Sequence, residues 1–88
     1  MDYSKLGMLA GEQLKLEKAI SFIGKEDINS IVLKGKGGKQ VTFSISTVDN
    51  SRQEIAKEII RKVLIHFVAE LAELSCKTDE TITKLVNN

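Results

Sequence analysis

The chain has 88 residues, 42% of them hydrophobic and 28% charged, with a formal charge of +1. That is the size of one small domain, too apolar for disorder and too evenly charged for a general attraction to nucleic acid or acidic lipid. A chain this short buries only about 60–65% of its unfolded surface, so its core is thin and association would help it.

The N-terminal segment Met1-Asp2-Tyr3-Ser4-Lys5 carries an acid and leads into no apolar core of signal-peptide type. From about Ser4 to Ile23 the sequence predicts a first helix. Leu9, Leu16, Ile20 and Ile23 mark one face with Leu6, Ala10 and Phe22 beside it, and Glu12, Lys15, Glu17 and Lys18 solvate the rest. Gly24 suits a left-handed residue just past the helix end, and Lys25 follows near the negative end of the dipole. Gly7 and Gly11 weaken the first turns, which leaves Glu12 as an alternative start.

A β-hairpin is expected next. Ile31 and Leu33 alternate with Ser30, Val32 and Lys34, and Val41, Phe43 and Ile45 alternate with Gln40, Thr42, Ser44 and Ser46. A two-residue loop would set Leu33 opposite Thr42 and split the apolar side chains between the two faces. A three-residue loop of Lys36, Gly37 and Gly38 sets Leu33 opposite Val41 and Ile31 opposite Phe43, with a glycine in the left-handed position. One buried face selects the second register.

A long helix over Ser51–Cys76 follows, opened by a Ser51–Glu54 capping box. It would be about 39 Å long, against a body about 31 Å across for a chain of this size. Ile55, Ile59, Ile60, Val63, Leu64, Phe67 and Leu71 form one wide apolar stripe, expected to cover the hairpin. Ile65, Val68, Ala69, Ala72 and Cys76 form a second stripe on the opposite side. A small domain covers one face of a helix, so the second asks for another surface. It is the candidate oligomer or partner seam, unless the first helix or the chain's last segment folds over it. Thr78, Asp79 and Glu80 then start a short last helix whose sticky face is Ile82, Leu85 and Val86. The fold class is α+β, in the order α-β-β-α over one domain, 1–88. The hairpin packs on two helices, and a short terminal helix follows the long one.

Ile59–Leu74, the most hydrophobic segment, is interrupted by Arg61, Lys62, His66, Glu70 and Glu73. It cannot span a bilayer that needs about 20 mostly apolar residues. One cysteine excludes an internal disulfide framework and fits a reducing compartment. A cytoplasmic protein without membrane contact is expected.

The only local charge imbalance is Lys34, Lys36 and Lys39, set among Gly35, Gly37 and Gly38 with no acid between Asp27 and Asp49. Lys34, Lys36, Gly37, Gly38 and Lys39 are therefore a candidate anion-binding loop, suited to a nucleic acid or nucleotide once arrayed by oligomerisation. The spacing is neither that of a phosphate-binding P-loop nor that of a dinucleotide fingerprint, and no aromatic residue interleaves to stack on bases. Lysines at a hairpin tip also simply keep a turn soluble and an edge unpaired.

His66 is the only histidine, and with Cys76 ten residues away it makes no metal-ligand spacing. Cys76, placed near a helix end, sits where the dipole disfavours a thiolate. Glu70 and Glu73 read as a solvated pair. Tyr3 reads as an anchor, and Phe22, Phe43 and Phe67 as one core residue from each main element. No cofactor, metal or catalytic set is implied. The chemistry that remains is that of a non-enzymatic regulatory protein that self-associates through its long helix and binds another protein, as phage- or plasmid-borne inhibitors and adaptors do. Nucleic-acid or nucleotide binding through the basic hairpin is the alternative.

Overall fold

The computed structural model describes residues 3–87; Met1, Asp2 and Asn88 fall outside it, and with them the start of the N-terminal segment discussed above. The order is helix α1 (Tyr3–Lys25), strand β1 (Ser30–Lys34), strand β2 (Gln40–Ser44) and helix α2 (Gln53–Asn87). This is the α+β arrangement that the alternating and helical periodicities demand. The described residues form two compact units, Asp27–Ile65 and a second drawn from residues 3–26 with 66–87.

In the unit Asp27–Ile65, β1 and β2 pair antiparallel with Ile31 opposite Phe43 and Leu33 opposite Val41. The Gly35 N–H donates to the Lys39 carbonyl at 2.6 Å and closes a three-residue turn over Lys36–Gly38. Gly37 and Gly38 hold φ of 81° and 85°, a left-handed backbone that a side chain would strain. The Ile45 N–H reaches the Asn29 carbonyl at 3.0 Å, carrying the pairing one step past the strands. Burial fades towards the turn: Ile31 and Phe43 are half-buried, whereas Leu33 is 64% exposed and Val41 66% exposed.

The chain then enters α2 through a turn over Asn50–Arg52. Its cap is Asp49, whose carboxylate accepts from the Ser51 N–H at 3.3 Å and from the Ser51 hydroxyl. The hydroxyl bond is the main cause holding the Asp49 carboxyl below its ordinary range. The expected Ser51–Glu54 capping box is thus replaced. Ser51 already donates to Asp49, and the helix starts at Gln53, whose side-chain amide donates to the Val48 carbonyl at 3.2 Å. One turn in, Ala56 and Ile60 are the buried hydrophobic residues among those described, each 2% exposed. With half-buried Leu64 they recur every four residues on one side of the helix.

In the other unit, the half-buried positions of α1 are Leu6, Leu9, Gln13, Leu16, Ile20 and Ile23, with Ala19 beside them. Those of α2 are Val68, Leu71, Ser75, Ile82 and Leu85, with Thr78 buried at the place between Ser75 and Ile82. Both sets step by three and four residues in turn, the spacing with which two helices present a continuous seam to each other. The stripe expected on α1 is therefore the covered one, except that Ala10 and Phe22 lie outside it, exposed. Gly24 is inside the helix and has no positive φ, and the Glu26 N–H still bonds to the Phe22 carbonyl at 2.9 Å.

The long helix does not stop at Cys76, and no separate terminal helix follows. α2 runs 35 residues to Asn87, about 52 Å at 1.5 Å per residue. Thr78 does not cap a new helix. Its hydroxyl donates to the Leu74 carbonyl at 2.8 Å, and Thr81 and Thr83 bond back to Lys77 and Asp79 in the same way. With hydroxyls satisfied on their own helix and no glycine or proline beyond Cys76, nothing ends it. Tyr3 is exposed rather than an anchor, and of the three phenylalanines only Phe43 is half-buried. The shared aromatic core expected from their distribution is not formed.

Gln13 interrupts the α1 seam with a buried Oε1 that has no hydrogen-bond partner. Leaving such an acceptor unmade costs about 1–3 kcal/mol. Gln13→Leu should therefore raise the unfolding free energy by about 1–2 kcal/mol in urea titration. An unchanged or lower midpoint would mean that the amide is satisfied in solution.

Candidate interaction surface

Along α2 in the unit Asp27–Ile65, the covered line Ala56, Ile60, Leu64 has an uncovered neighbour. Ile55, Ile59 and Val63, again every four residues, are 60%, 48% and 47% exposed. The single wide stripe expected from the sequence is therefore split: Ile60, Leu64 and Leu71 lie on covered lines, while Ile55, Ile59, Val63 and Phe67 are exposed.

The exposed line borders a shallow groove formed by Glu54, Ile55, Glu58, Ile59 and Lys62. Lys57 Nζ lies 3.2 Å from Glu54 Oε1, and Arg61 Nε donates to Glu58 Oε2 at 3.0 Å, with Arg61 Nη2 on the other oxygen. The Arg61 hydrogen bond is the first cause holding the Glu58 carboxyl below its usual range, and the same bond raises the guanidinium. Lys62 contributes only through its field at Glu58, and no ion pair of its own is formed among the described residues.

The second stripe is exposed in part. Ile65 is 58% exposed and Ala69, Ala72 and Cys76 are exposed, while Val68 is half-buried. The expected alternative, that other segments fold over this face, holds only for Val68. The covered line of α2 in that unit passes through Val68 and Leu71 to Thr78 and leaves the alanines outside. Cys76 is a free thiol in mid-helix rather than near an end, so the dipole argument about its thiolate falls away. Phe67, Leu71 and Leu74 line a further groove with Glu70, Glu73 and Lys77, and Lys77 Nζ pairs with Glu73 Oε1 at 3.1 Å.

Lys34, Lys36, Gly37, Gly38 and Lys39 all lie exposed at the hairpin tip beside Leu33 and Val41. None of these lysines has an ion pair among the described residues. His66 is exposed. Among the described residues no group of three or more His, Cys, Asp or Glu could hold a metal, and no helix is long and apolar enough to cross a membrane. Comparison of the chain with protein-family models, curated proteins and solved structures finds no match to any of them.

Sequence patterning placed Ile55, Ile59 and Val63 in the core and so missed them as a surface. The available signal was the run Glu54, Glu58, Lys62 at the same four-residue spacing alongside them. A line of charge next to a line of apolar residues marks the edge of what a domain covers.

Proposed function

We propose that the protein is a small non-enzymatic interaction protein that self-associates through α2 and offers its remaining apolar surface to another protein. One observation carries this. Ala56 and Ile60 are buried, while Ile55, Ile59 and Val63 on the same turns stand open to water. Exposed large apolar side chains clustered on one element, with charged residues along their border, are what protein-contact surfaces present. Each such side chain withdrawn from water contributes about 1.5–3 kcal/mol, so association recovers what a thin core leaves unused.

Sedimentation velocity over a wide range of concentration tests the self-association. The weight-average coefficient should rise with concentration towards that of a discrete assembly. A single sedimenting subunit throughout would remove the proposal. Native mass spectrometry of the protein purified from its own host would then report whether a second polypeptide rides on the assembly.

A further inference from the structure

We infer that the groove along Glu54–Val63 is the contact between two copies of this chain, with their α2 helices running antiparallel about a two-fold axis at Ile59. The inference rests on the self-association proposed above and names its surface and partner.

The residues of this line have a symmetry of their own. Ile55 and Val63 stand four residues to either side of Ile59, about 6 Å along the axis at 1.5 Å per residue. A two-fold contact pairs the same patch on both copies. Antiparallel helices centred on Ile59 therefore set Ile55 against Val63 of the partner copy and Ile59 against Ile59. All three side chains are exposed within one chain and available for this.

The charges choose the direction. Glu54 and Glu58 precede Ile59 and Lys62 follows it. In the antiparallel arrangement Lys62 arrives level with position 56 of the other helix, between its Glu54 and Glu58, and the contact is made twice. In a parallel two-fold arrangement this row lies on opposite sides of the seam in the two copies, so Lys62 meets neither Glu54 nor Glu58 of its partner and the match is lost. Lys57 holds one oxygen of Glu54 and Arg61 both oxygens of Glu58, while Lys62 has no ion pair of its own among the described residues. The lysine is the unmatched half of a complementary set, and the lining of the groove contains the acids that match it.

The second stripe offers less. Beside Ile65, its exposed members Ala69, Ala72 and Cys76 are small and supply little apolar area.

A charge exchange tests the assignment. Lys62→Glu makes the groove wholly acidic, and Glu54→Lys with Glu58→Lys makes it wholly basic. Each variant alone should self-associate at least about tenfold more weakly than the natural chain, as like charges now face each other across the axis. An equimolar mixture of the two should recover association to within about threefold of the natural chain and weaken as salt is raised. Recovery in the mixture also shows that neither variant lost its fold. If the natural chain associates but the variants match it, or the mixture stays weak, this surface is wrong and the broader self-association stands. If the natural chain never associates, the broader proposal fails with it.

Discussion

Ile60→Ala should lower the unfolding free energy by about 2–4 kcal/mol, the largest stability effect expected from a single truncation in this chain. Ile60 is 2% exposed and shares the buried interior of its unit only with Ala56 among the hydrophobic residues described. A large-to-small change removes transfer free energy and leaves a cavity that few neighbours can refill. Urea unfolding followed by circular dichroism, at a concentration low enough to hold single subunits, gives the measurement. A loss below about 1 kcal/mol would mean that the hairpin does not depend on this side chain, and the account of the unit's core would have to change.

Ile59→Asp is the complementary experiment one residue away. Ile59 is half exposed in the single chain, so a carboxylate there stays solvated and the subunit should keep its helical signal and its dilute-solution stability. Across the proposed two-fold axis two such carboxylates would face each other away from water. Desolvation and repulsion of a few kcal/mol correspond to a weakening of about a hundredfold or more. Sedimentation equilibrium of the variant beside the natural chain reads this directly. Association of the two with equal strength would exclude Ile59 from the contact. Adjacent isoleucines thus separate folding from assembly: one change should cost stability without a specific effect on association, the other the reverse.

The hairpin register was determined by local pattern, although β2 ends at Ser44 and Ile45–Thr47 turn away where the alternation ran on to Ser46. Alternation names the strands, and only an odd loop keeps Ile31, Leu33, Val41 and Phe43 on one face. The structure carries that register, with Gly37 and Gly38 taking the left-handed positions of the turn. The covered line of α1 was equally plain, because Leu9, Leu16, Ile20 and Ile23 repeat with a single helical period over most of its length.

The long helix shows where local pattern stops. Its start moved to Gln53 because Asn50–Arg52 form a separate turn capped by Asp49, a residue type that caps as well as Ser51 does. Its end moved because Thr78 is as competent to bond back onto its own helix as to start another. Which of its apolar lines is covered was also undetermined. Ile55, Ile59, Ile60, Val63 and Leu64 all lie within one broad arc, and a hydrophobic residue is the same residue whether a strand reaches it or not.

By itself the sequence determined the order helix, strand, strand, helix and the hairpin register, since each depends on contacts within a few residues, but it set a break after Cys76 that α2 does not have. Only the tertiary structure decided that Ala56 and Ile60 are enclosed while Ile55, Ile59 and Val63 remain in water. That choice depends on where separate elements lie in space, which the spacing of residues along one helix does not set.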